Sequence, residues 1–219
     1  MKLIAKGNTA EIIEQNDNLI CKLFNSGYPK IYIEHEFDNA KTVFQLGIKT
    51  PRAYNLICVD GRDGIVYDRV IGETLSSKMH SANKEELTVW TNRFVDIHKE
   101  LLSHHINSVI DYKDFLKMFA TGSIEVITKI DALENGDCLL HGDFHPANIM
   151  VNRDNQLIII DMMNICKGPA IYDVARTYFL LENNKNLQEQ YLDLMRYELK
   201  DIVPYLEVIL LIRENEMNS

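Results

Sequence analysis

The pattern of hydrophobic and polar positions divides the chain into a first part rich in short strands and a later part rich in helices. Before residue 70, apolar runs bounded by turn residues predict five strands, at 2–5, 12–14, 19–24, 53–59 and 64–68. After the third strand the period becomes helical, with apolar residues at Ile33, Phe37, Ala40 and Phe44. We expect this stripe to face inward and the helix to stop at Gly47.

Helical patterning dominates from residue 73 onward, with one interruption. Residues 85–102 and 112–130 each predict one amphipathic helix, and the pattern returns to helix from about residue 170. The interruption is a hairpin pattern, with strands at 149–151 and 157–160.

This order of elements predicts an α+β fold. The chain is expected to form a small antiparallel-sheet lobe over residues 1–70 and a mainly helical lobe over 71–219, joined near residues 69–72. A hairpin connection is predicted over residues 60–63, because the Asp60-Gly61 step between apolar runs is a strong hairpin signal.

Composition excludes several classes of function. The 219 residues are 46% hydrophobic and 25% charged, which is typical of a globular protein. The net charge of −9 disfavours a nucleic-acid partner. No apolar run reaches the roughly 20 residues that span a bilayer. The start of the chain is too short and too polar for a signal peptide, and the four cysteines form no CxxC pair. These features favour a cytoplasmic protein without a zinc ribbon or a disulfide scaffold.

The segment that carries the most chemical information is HGDFHPAN, residues 141–148, a loop between two apolar runs. Asn148 stands just before the first strand of the predicted hairpin, and Asp161 stands just after the second. Antiparallel strands bring those ends together, and Asp143 is only a few residues away. We therefore expect a cluster of two carboxylates and an amide oxygen, which suits Mg²⁺ bridging phosphates.

Two histidines of this loop, His141 and His145, are four residues apart, a spacing that suggests zinc when it occurs on a helix. Gly142 and Pro146 disfavour a helix here. His141 is therefore expected to be structural, and His145 either lies near the metal or braces the loop.

Together, HGDFHPANIMV at 141–151 and IIDMMN at 159–164 resemble the aminoglycoside phosphotransferase and choline kinase family, relatives of the protein kinases. The resemblance covers most of the chain. It implies a protein-kinase-like two-lobe fold and an ATP-dependent kinase that uses ATP and Mg²⁺. The γ-phosphoryl group would pass to a hydroxyl of a small molecule, one that is aminoglycoside-, choline- or sugar-like.

The resemblance also implies roles for residues of the later part of the chain. Asp143 would orient the acceptor hydroxyl and take its proton, while Asn148 and Asp161 would bind the metal. Asp173, in KGPAIYDVAR, matches the family pattern G-x-x-x-x-D-x-A and would brace the 141–148 loop. The alternative for Asp173 is a carboxylate favoured by the dipole at a helix start.

Lys22 is the candidate phosphate-binding lysine, since it is the only charge in the apolar run LICKLF. The family pairs this lysine with a helix glutamate, and here both Glu34 and Glu36 flank the predicted apolar stripe. The register of the resemblance favours Glu36. The alternative is a solvated lysine on an edge strand.

Two further segments are assigned to the nucleotide by position. The turn at residues 6–10 would cover the phosphates with donors from Asn8 and Thr9. The backbone groups of Asp68 and Val70, near the joint between the lobes, would read the adenine.

Two other functions compete with this interpretation. A protein serine/threonine kinase is disfavoured, because Met162-Met163 replace Phe-Gly after Asp161 and no A-P-E segment is present. A non-catalytic pseudokinase is disfavoured because all the motif residues are present. Since family members run somewhat longer, the acceptor pocket is expected to be reduced or completed by a partner chain, which leaves a homo-oligomer open.

Overall fold

The computed structural model describes residues 2–217, which form an α+β fold of two compact units. The units interleave along the chain: the first contains residues 2–78 and 147–164, and the second contains residues 79–146 and 165–217. The two lobes expected over residues 1–70 and 71–219 stay a prediction. That prediction divides the chain at one point, whereas the two compact units alternate along it.

The first unit is built on an antiparallel five-stranded sheet in the order β1-β2-β3-β5-β4. Its elements are β1 (Lys2–Lys6), β2 (Ala10–Glu14), β3 (Leu19–Phe24), helix α1 (Lys30–Gln45), β4 (Ala53–Val59) and β5 (Arg62–Asp68). The predicted order of three strands, a helix and two strands is confirmed. The predicted hairpin is confirmed. Its connection is shorter than the predicted 60–63, because β5 begins at Arg62 and only Asp60 and Gly61, with φ values of 51° and 77°, join the strands.

Helix α1 buries Ile33 and Ala40 of the predicted stripe, but its buried face is rotated away from Phe44. Phe44 is 41% exposed, and the buried face carries Glu36 and Asn39 beside Ile33 and Val43. The predicted inward stripe is therefore wrong at Phe44. The physical reason is that two polar side chains of this face have buried partners, described below, which hold the helix in that rotation.

A second sheet of the first unit has the order β6-β8-β9 and contains β6 (Gly72–Thr74), β8 (Ile149–Asn152) and β9 (Leu157–Ile159). The predicted hairpin is confirmed in β8 and β9. Strand β6 has only three residues and no apolar run, so the sequence pattern does not reveal it. A Cβ atom on Gly72 would lie 1.9 Å from the Val151 carbonyl oxygen, so β6 needs glycine at this position to approach β8.

Helix α2 (Leu75–Ser81) leads from the first unit to the second. The second unit contains α3 (Lys84–Leu102), α4 (Tyr112–Lys117), α5 (Ile124–Ala132), β7 (Cys138–Leu140), β10 (Cys166–Gly168), α6 (Ala170–Leu180), α7 (Lys185–Met195) and α8 (Leu199–Met217). Strands β7 and β10 pair antiparallel. The predicted helix 85–102 is confirmed in α3, which begins with a capping box formed by Asn83 and Glu86.

The single helix expected over residues 112–130 is wrong, because α4 and α5 are separate. Thr121 and Gly122 between them both have positive φ, 47° and 77°, a conformation that no right-handed helix accommodates. Ser123 then caps α5 by accepting a hydrogen bond from the Val126 backbone N–H.

None of the helices described within residues 2–217 is both long enough and apolar enough to cross a bilayer.

Candidate active site

Lys22 lies on β3, the central strand of the five-stranded sheet, and its side chain is only 13% exposed. Its Nζ donates to both carboxylate oxygens of Glu36, each at 2.8 Å, and to Asp161 Oδ1 at 3.0 Å. Burial alone would lower the pKa of this ammonium, but the two carboxylates outweigh it and raise the pKa. Lys22 is therefore a protonated side chain fixed by two carboxylates on a central strand. The alternative of a solvated lysine on an edge strand is wrong.

Of the two candidate glutamates, Glu36 contacts Lys22. Its side chain is fully buried, and its Oε1 also accepts a hydrogen bond from the Tyr67 hydroxyl at 3.0 Å. Burial raises the pKa of Tyr67 well above the usual value, so the hydroxyl keeps its proton and donates. Glu34 is half exposed and lies 3.8 Å from Lys30 on the same helix. The carboxylate of Glu36 is thus fixed from two sides.

Asn148 and Asp161 stand at the two ends of the β8–β9 hairpin, as expected. The Ile160 backbone N–H donates to the Asn148 carbonyl oxygen at 2.9 Å, which places Asp161 one residue beyond this contact. Asp161 adopts a left-handed backbone conformation, φ 66°. Asn39 on α1 donates from its side chain to the Met162 carbonyl oxygen at 3.0 Å and so holds the turn next to Asp161.

These positions fit a divalent cation with a preference for oxygen. The Asp161 carboxylate is 41% exposed and bound by Lys22 through Oδ1, and Asn148 is half-buried at the adjoining end of the hairpin. A carboxylate and an amide are the hard oxygen donors that Mg²⁺ prefers. The donor set therefore agrees with the predicted metal.

Asn8 and Thr9 lie exposed in the turn between β1 and β2. The Gly7 backbone N–H donates to the Ala10 carbonyl oxygen at 2.9 Å and closes the turn. The carbonyl oxygens of Asn8 and Thr9 accept from the side chain and the backbone of Asn25, both at 2.8 Å. The turn is thereby fixed against the end of β3, the strand that carries Lys22.

Asp68 and Val70 lie where β5 ends, before β6 begins. The Asp68 carboxylate accepts from the Arg52 backbone N–H at 3.1 Å and from the Tyr54 hydroxyl at 2.8 Å. The Asp68 side chain thus belongs to the sheet. The adenine contacts that the resemblance implies for Asp68 and Val70 are therefore left to their backbone groups.

Asp173 holds the 141–148 loop of the second unit. Its fully buried carboxylate accepts the backbone N–H groups of His141 and Gly142, each at 2.8 Å. Gly142 has φ 74°, a conformation that favours glycine and lets both N–H groups point at one carboxylate. Burial acts to raise the pKa of Asp173, but hydrogen bonds from its neighbours outweigh it and lower the pKa. The predicted brace is confirmed.

His98 on α3 extends this network. Its Nε2 lies 3.1 Å from Asp173 Oδ2, and its Nδ1 lies 2.8 Å from the Tyr191 hydroxyl on α7. The ring also stacks on Phe144 of the loop, with centroids 3.9 Å apart. Three helices, α3, α6 and α7, therefore fix the loop through one buried chain of polar side chains.

Asp143 is half-buried and has positively charged or titratable neighbours on both sides. His145 Nε2 lies 3.5 Å from one carboxylate oxygen, and Arg176 Nη2 lies 3.9 Å from the other. Arg176 Nε also donates to the Gly142 carbonyl oxygen at 3.3 Å. Burial acts to raise the pKa of Asp143, but His145, His141 and Arg176 outweigh it and hold the pKa below the usual range. Asp143 is therefore an ionised carboxylate at neutral pH.

Residues 118–202, which include Asp143, Asn148, Asp161 and Asp173, match the family model described as "Phosphotransferase enzyme family". The predicted resemblance to the aminoglycoside phosphotransferases is confirmed. The family match also confirms the prediction of a phosphotransferase enzyme. No curated protein sequence matches the chain.

Solved structures of aminoglycoside phosphotransferases share the fold. APH(3'')-Id from Streptomyces rimosus ATCC10970 is 14% identical, with a TM-score of 0.68 over 96% of this chain and 92% of that one. Aminoglycoside-3'-phosphotransferase of type VIII is 14% identical, with a TM-score of 0.69 over 98% and 91%. A thermostable mutant of APH(4)-Ia is 12% identical, with a TM-score of 0.68 over 98% and 84%. These likenesses confirm the predicted protein-kinase-like fold.

The sequence did not reveal four residues that shape these sites: Asn39, Tyr67, His98 and Arg176. A signal existed for Asn39 and His98, which are polar residues on the buried faces of α1 and α3. Arg176 follows Asp173 by three residues, so on α6 both side chains reach the same loop.

Proposed function

We propose that this chain transfers the γ-phosphoryl group of ATP to a hydroxyl group of a small molecule. The observation that carries the proposal is the position of Lys22, whose ammonium contacts the carboxylates of Glu36 and Asp161. This pair suits a metal-bound triphosphate. The buried ammonium of Lys22 would bind phosphate oxygens, and the exposed carboxylate of Asp161 would bind the metal ion that accompanies them.

The first unit supplies the nucleotide-binding residues in this proposal. Lys22 binds α- and β-phosphate oxygens, and Glu36 keeps its ammonium in place. The turn with Asn8 and Thr9 covers the phosphates with backbone and side-chain donors. Backbone groups of Asp68 and Val70 bind the adenine. The ordered hydrogen bonds of the turn and of the end of β5 support these assignments, because they fix the backbone before nucleotide arrives.

Asn148 and Asp161 would hold Mg²⁺. When bound, the ion neutralises charge on the phosphate oxygens and on the leaving diphosphate. The chain contributes the oxygen donors, the hairpin that aligns them, and the Asn39 hydrogen bond that fixes the following turn.

Asp143 is the proposed base. The acceptor hydroxyl donates to its carboxylate, the hydroxyl oxygen attacks the γ-phosphorus, and ADP leaves as the proton passes to Asp143. Phosphoryl transfer has a loose transition state, so orientation of the nucleophile matters more than the strength of the base. The low pKa of Asp143 agrees with that role, because the carboxylate stays ionised to accept the hydrogen bond.

The acceptor class is supported by the bound molecules of structures that share the fold. APH(3'')-Id was solved with ADP and streptomycin, and APH(2'')-IIa was solved with gentamicin. We propose a polyhydroxylated or amino-bearing small molecule for this chain, and a reducing cytoplasm as its compartment. Cys21, Cys58, Cys138 and Cys166 are all free thiols, as such a compartment favours.

The test is a screen of ATP consumption against aminoglycosides, amino alcohols and sugars, with a generic protein substrate as a separate arm. We expect turnover with a small molecule and none with the protein. Asp143→Asn should slow turnover by roughly a hundredfold or more, the usual scale for a positioned base, without weakening MgATP binding. Asp114→Asn, an exposed aspartate of α4, is the matched control and should change neither quantity. Turnover with the protein substrate alone would replace this proposal with a protein kinase.

A further inference from the structure

A second group of metal-ligating side chains lies in the second unit, among residues that the proposed reaction does not use. His105, Asp137 and Cys138 offer an imidazole nitrogen, a carboxylate oxygen and a thiol sulfur, and these atoms all lie within 4.8 Å of one another. His105 Nδ1 and Asp137 Oδ1 already share a hydrogen bond of 2.8 Å. One ion can contact all three atoms once small side-chain rotations bring them closer.

The backbone fixes this group. His105 and Cys138 form an antiparallel bridge at the start of β7. On either side of it, the Ile106 N–H donates to the Asp137 carbonyl oxygen, and the Leu139 N–H donates to the His104 carbonyl oxygen, both at 2.8 Å. The three ligands therefore stand on two chain segments whose spacing is set by backbone hydrogen bonds. A site whose backbone is already ordered loses little entropy when it binds an ion.

The donor set selects the class of ion. Zn²⁺ accepts nitrogen, oxygen and sulfur ligands in a tetrahedral arrangement, whereas Mg²⁺ demands oxygen ligands in an octahedron. A thiolate with an imidazole therefore distinguishes this group from the oxygen donors Asn148 and Asp161. The side chains of His105 and Asp137 are 65% and 57% exposed, so an ion from solvent reaches them directly.

We propose that His105, Asp137 and Cys138 form a binding site for Zn²⁺ or a similar transition-metal ion, with water in the fourth position. Tetrahedral ligands with bonds of about 2.0–2.1 Å to nitrogen and oxygen lie roughly 3.3 Å apart. His105 and Asp137 need to separate by only about half an ångström from their hydrogen-bonded distance, a change within the side-chain freedom of two exposed residues.

Such a site ties the segment after α3 to the start of β7, the strand that runs into the 141–148 loop. The bound ion would replace one hydrogen bond by three coordinate bonds. It would thereby stabilise the second unit without touching the residues assigned to phosphoryl transfer. The proposal is independent of the proposed function, and each can fail without the other.

The test uses the full-length protein and Co²⁺, which reports thiolate coordination by a near-ultraviolet charge-transfer band and tetrahedral geometry by intense visible bands. We expect both signals to saturate at one equivalent, Zn²⁺ to displace them, and excess Mg²⁺ to leave them. Cys138→Ser should abolish the charge-transfer band. His105→Ala and Asp137→Asn should each weaken binding by at least about tenfold, the loss expected when a site is left with two protein ligands.

Two matched variants control for adventitious binding. Cys58→Ser removes an exposed thiol outside the proposed site, and His104→Ala removes the neighbouring imidazole while keeping the backbone bond to Leu139. Both should bind Co²⁺ like the unmodified protein. The proposal is overturned if the unmodified protein gives no charge-transfer band, if Cys138→Ser keeps it, or if either control variant loses it. Circular dichroism of each variant separates loss of binding from loss of folding.

Discussion

Lys22 Nζ lies 3.0 Å from Asp161 Oδ1, although 139 residues separate them in the sequence. The same ammonium is held by the buried carboxylate of Glu36, so one cation joins the central strand of the sheet, helix α1 and the end of the hairpin. Lys22, Glu36 and Asp161 differ in their exposure to solvent. We therefore expect substitutions of the three residues to impair the protein in different ways.

Asp161→Asn should remove the dependence of nucleotide binding on Mg²⁺. The amide keeps an oxygen but loses the negative charge that attracts the cation. Calorimetric titration with ATP, with and without Mg²⁺, measures this. The unmodified protein should bind tightly only with Mg²⁺, and the variant should bind weakly in both conditions. Asp154→Asn, at the turn of the same hairpin, should behave like the unmodified protein. Equal affinity of the unmodified protein with and without the ion would remove the metal assignment.

Lys22→Ala should raise the KM for ATP and lower kcat, because the ammonium binds phosphate in both the ground state and the transition state. Glu36→Gln should give a milder form of the same defect, since the amide keeps the volume but not the charge that holds Lys22. Glu34→Gln on the same helix is the matched control, and its exposed side chain should make the change silent. Steady-state kinetics with the acceptor found by the screen provide the measurement. A larger defect for Glu34→Gln than for Glu36→Gln would contradict the pairing.

Asp173→Asn should destabilise the protein by roughly 3 kcal/mol or more, because two backbone N–H groups and His98 lose a buried charged acceptor. For a chain of this length the loss corresponds to a Tm about 6–12 °C lower. Thermal unfolding followed by circular dichroism measures it. Asp193→Asn, an exposed aspartate of α7, should leave the Tm unchanged.

The pH dependence of this stability has a definite sign. The pKa of Asp173 is lower in the folded protein than in the unfolded chain, so its contribution is present above the unfolded pKa of about 3.9. It is lost as the pH falls through the lower, folded value. Asp173→Asn should therefore reduce the fall in Tm between pH 5 and pH 3. An unchanged acid dependence would show that other carboxylates dominate it.

Arg176→Met should move the acidic limb of kcat/KM to higher pH. Asp143 must be ionised to accept the acceptor proton, and Arg176 is one of the groups that lower its pKa. Activity is lost as the pH falls through that pKa, so removal of the cation starts the loss earlier. Profiles from pH 8 to pH 4 measure it, with the exposed Arg153→Met as control. Coincident acidic limbs for Arg176→Met and the unmodified protein would contradict an electrostatic role for Arg176.

Local patterns predicted the five strands of the large sheet, the hairpin at Asp60-Gly61 and the placement of Asn148 and Asp161 at the ends of a second hairpin, because hairpins are set by residues near one another in sequence. Local patterns failed where the orientation of an element depends on residues distant in the sequence. The rotation of α1 follows from Glu36 and Asn39, whose partners Lys22 and Met162 lie on other elements. The sequence pattern does not show the partner of a buried polar residue, so the apolar stripe placed Ile33 and Ala40 correctly but failed at Phe44.

The break between α4 and α5 was missed for another reason. Thr121 has φ 47°, a conformation that β-branched residues adopt rarely, so its identity gives no sign of a turn. Strands β6 and β10 have three residues each, too few for an alternation to be recognised.

The interleaving of the two units has a consequence for synthesis on the ribosome. The first unit needs residues 147–164, so the nascent chain cannot complete it when residue 78 emerges. Strand β6 then lacks β8, and the pair formed by Lys22 and Glu36 lacks Asp161. The wait from residue 78 to residue 164 is roughly 4 to 17 s at about 5–20 residues per second. During that interval all five strands of the large sheet have been made, but the first unit lacks the β8–β9 hairpin and is an incomplete intermediate.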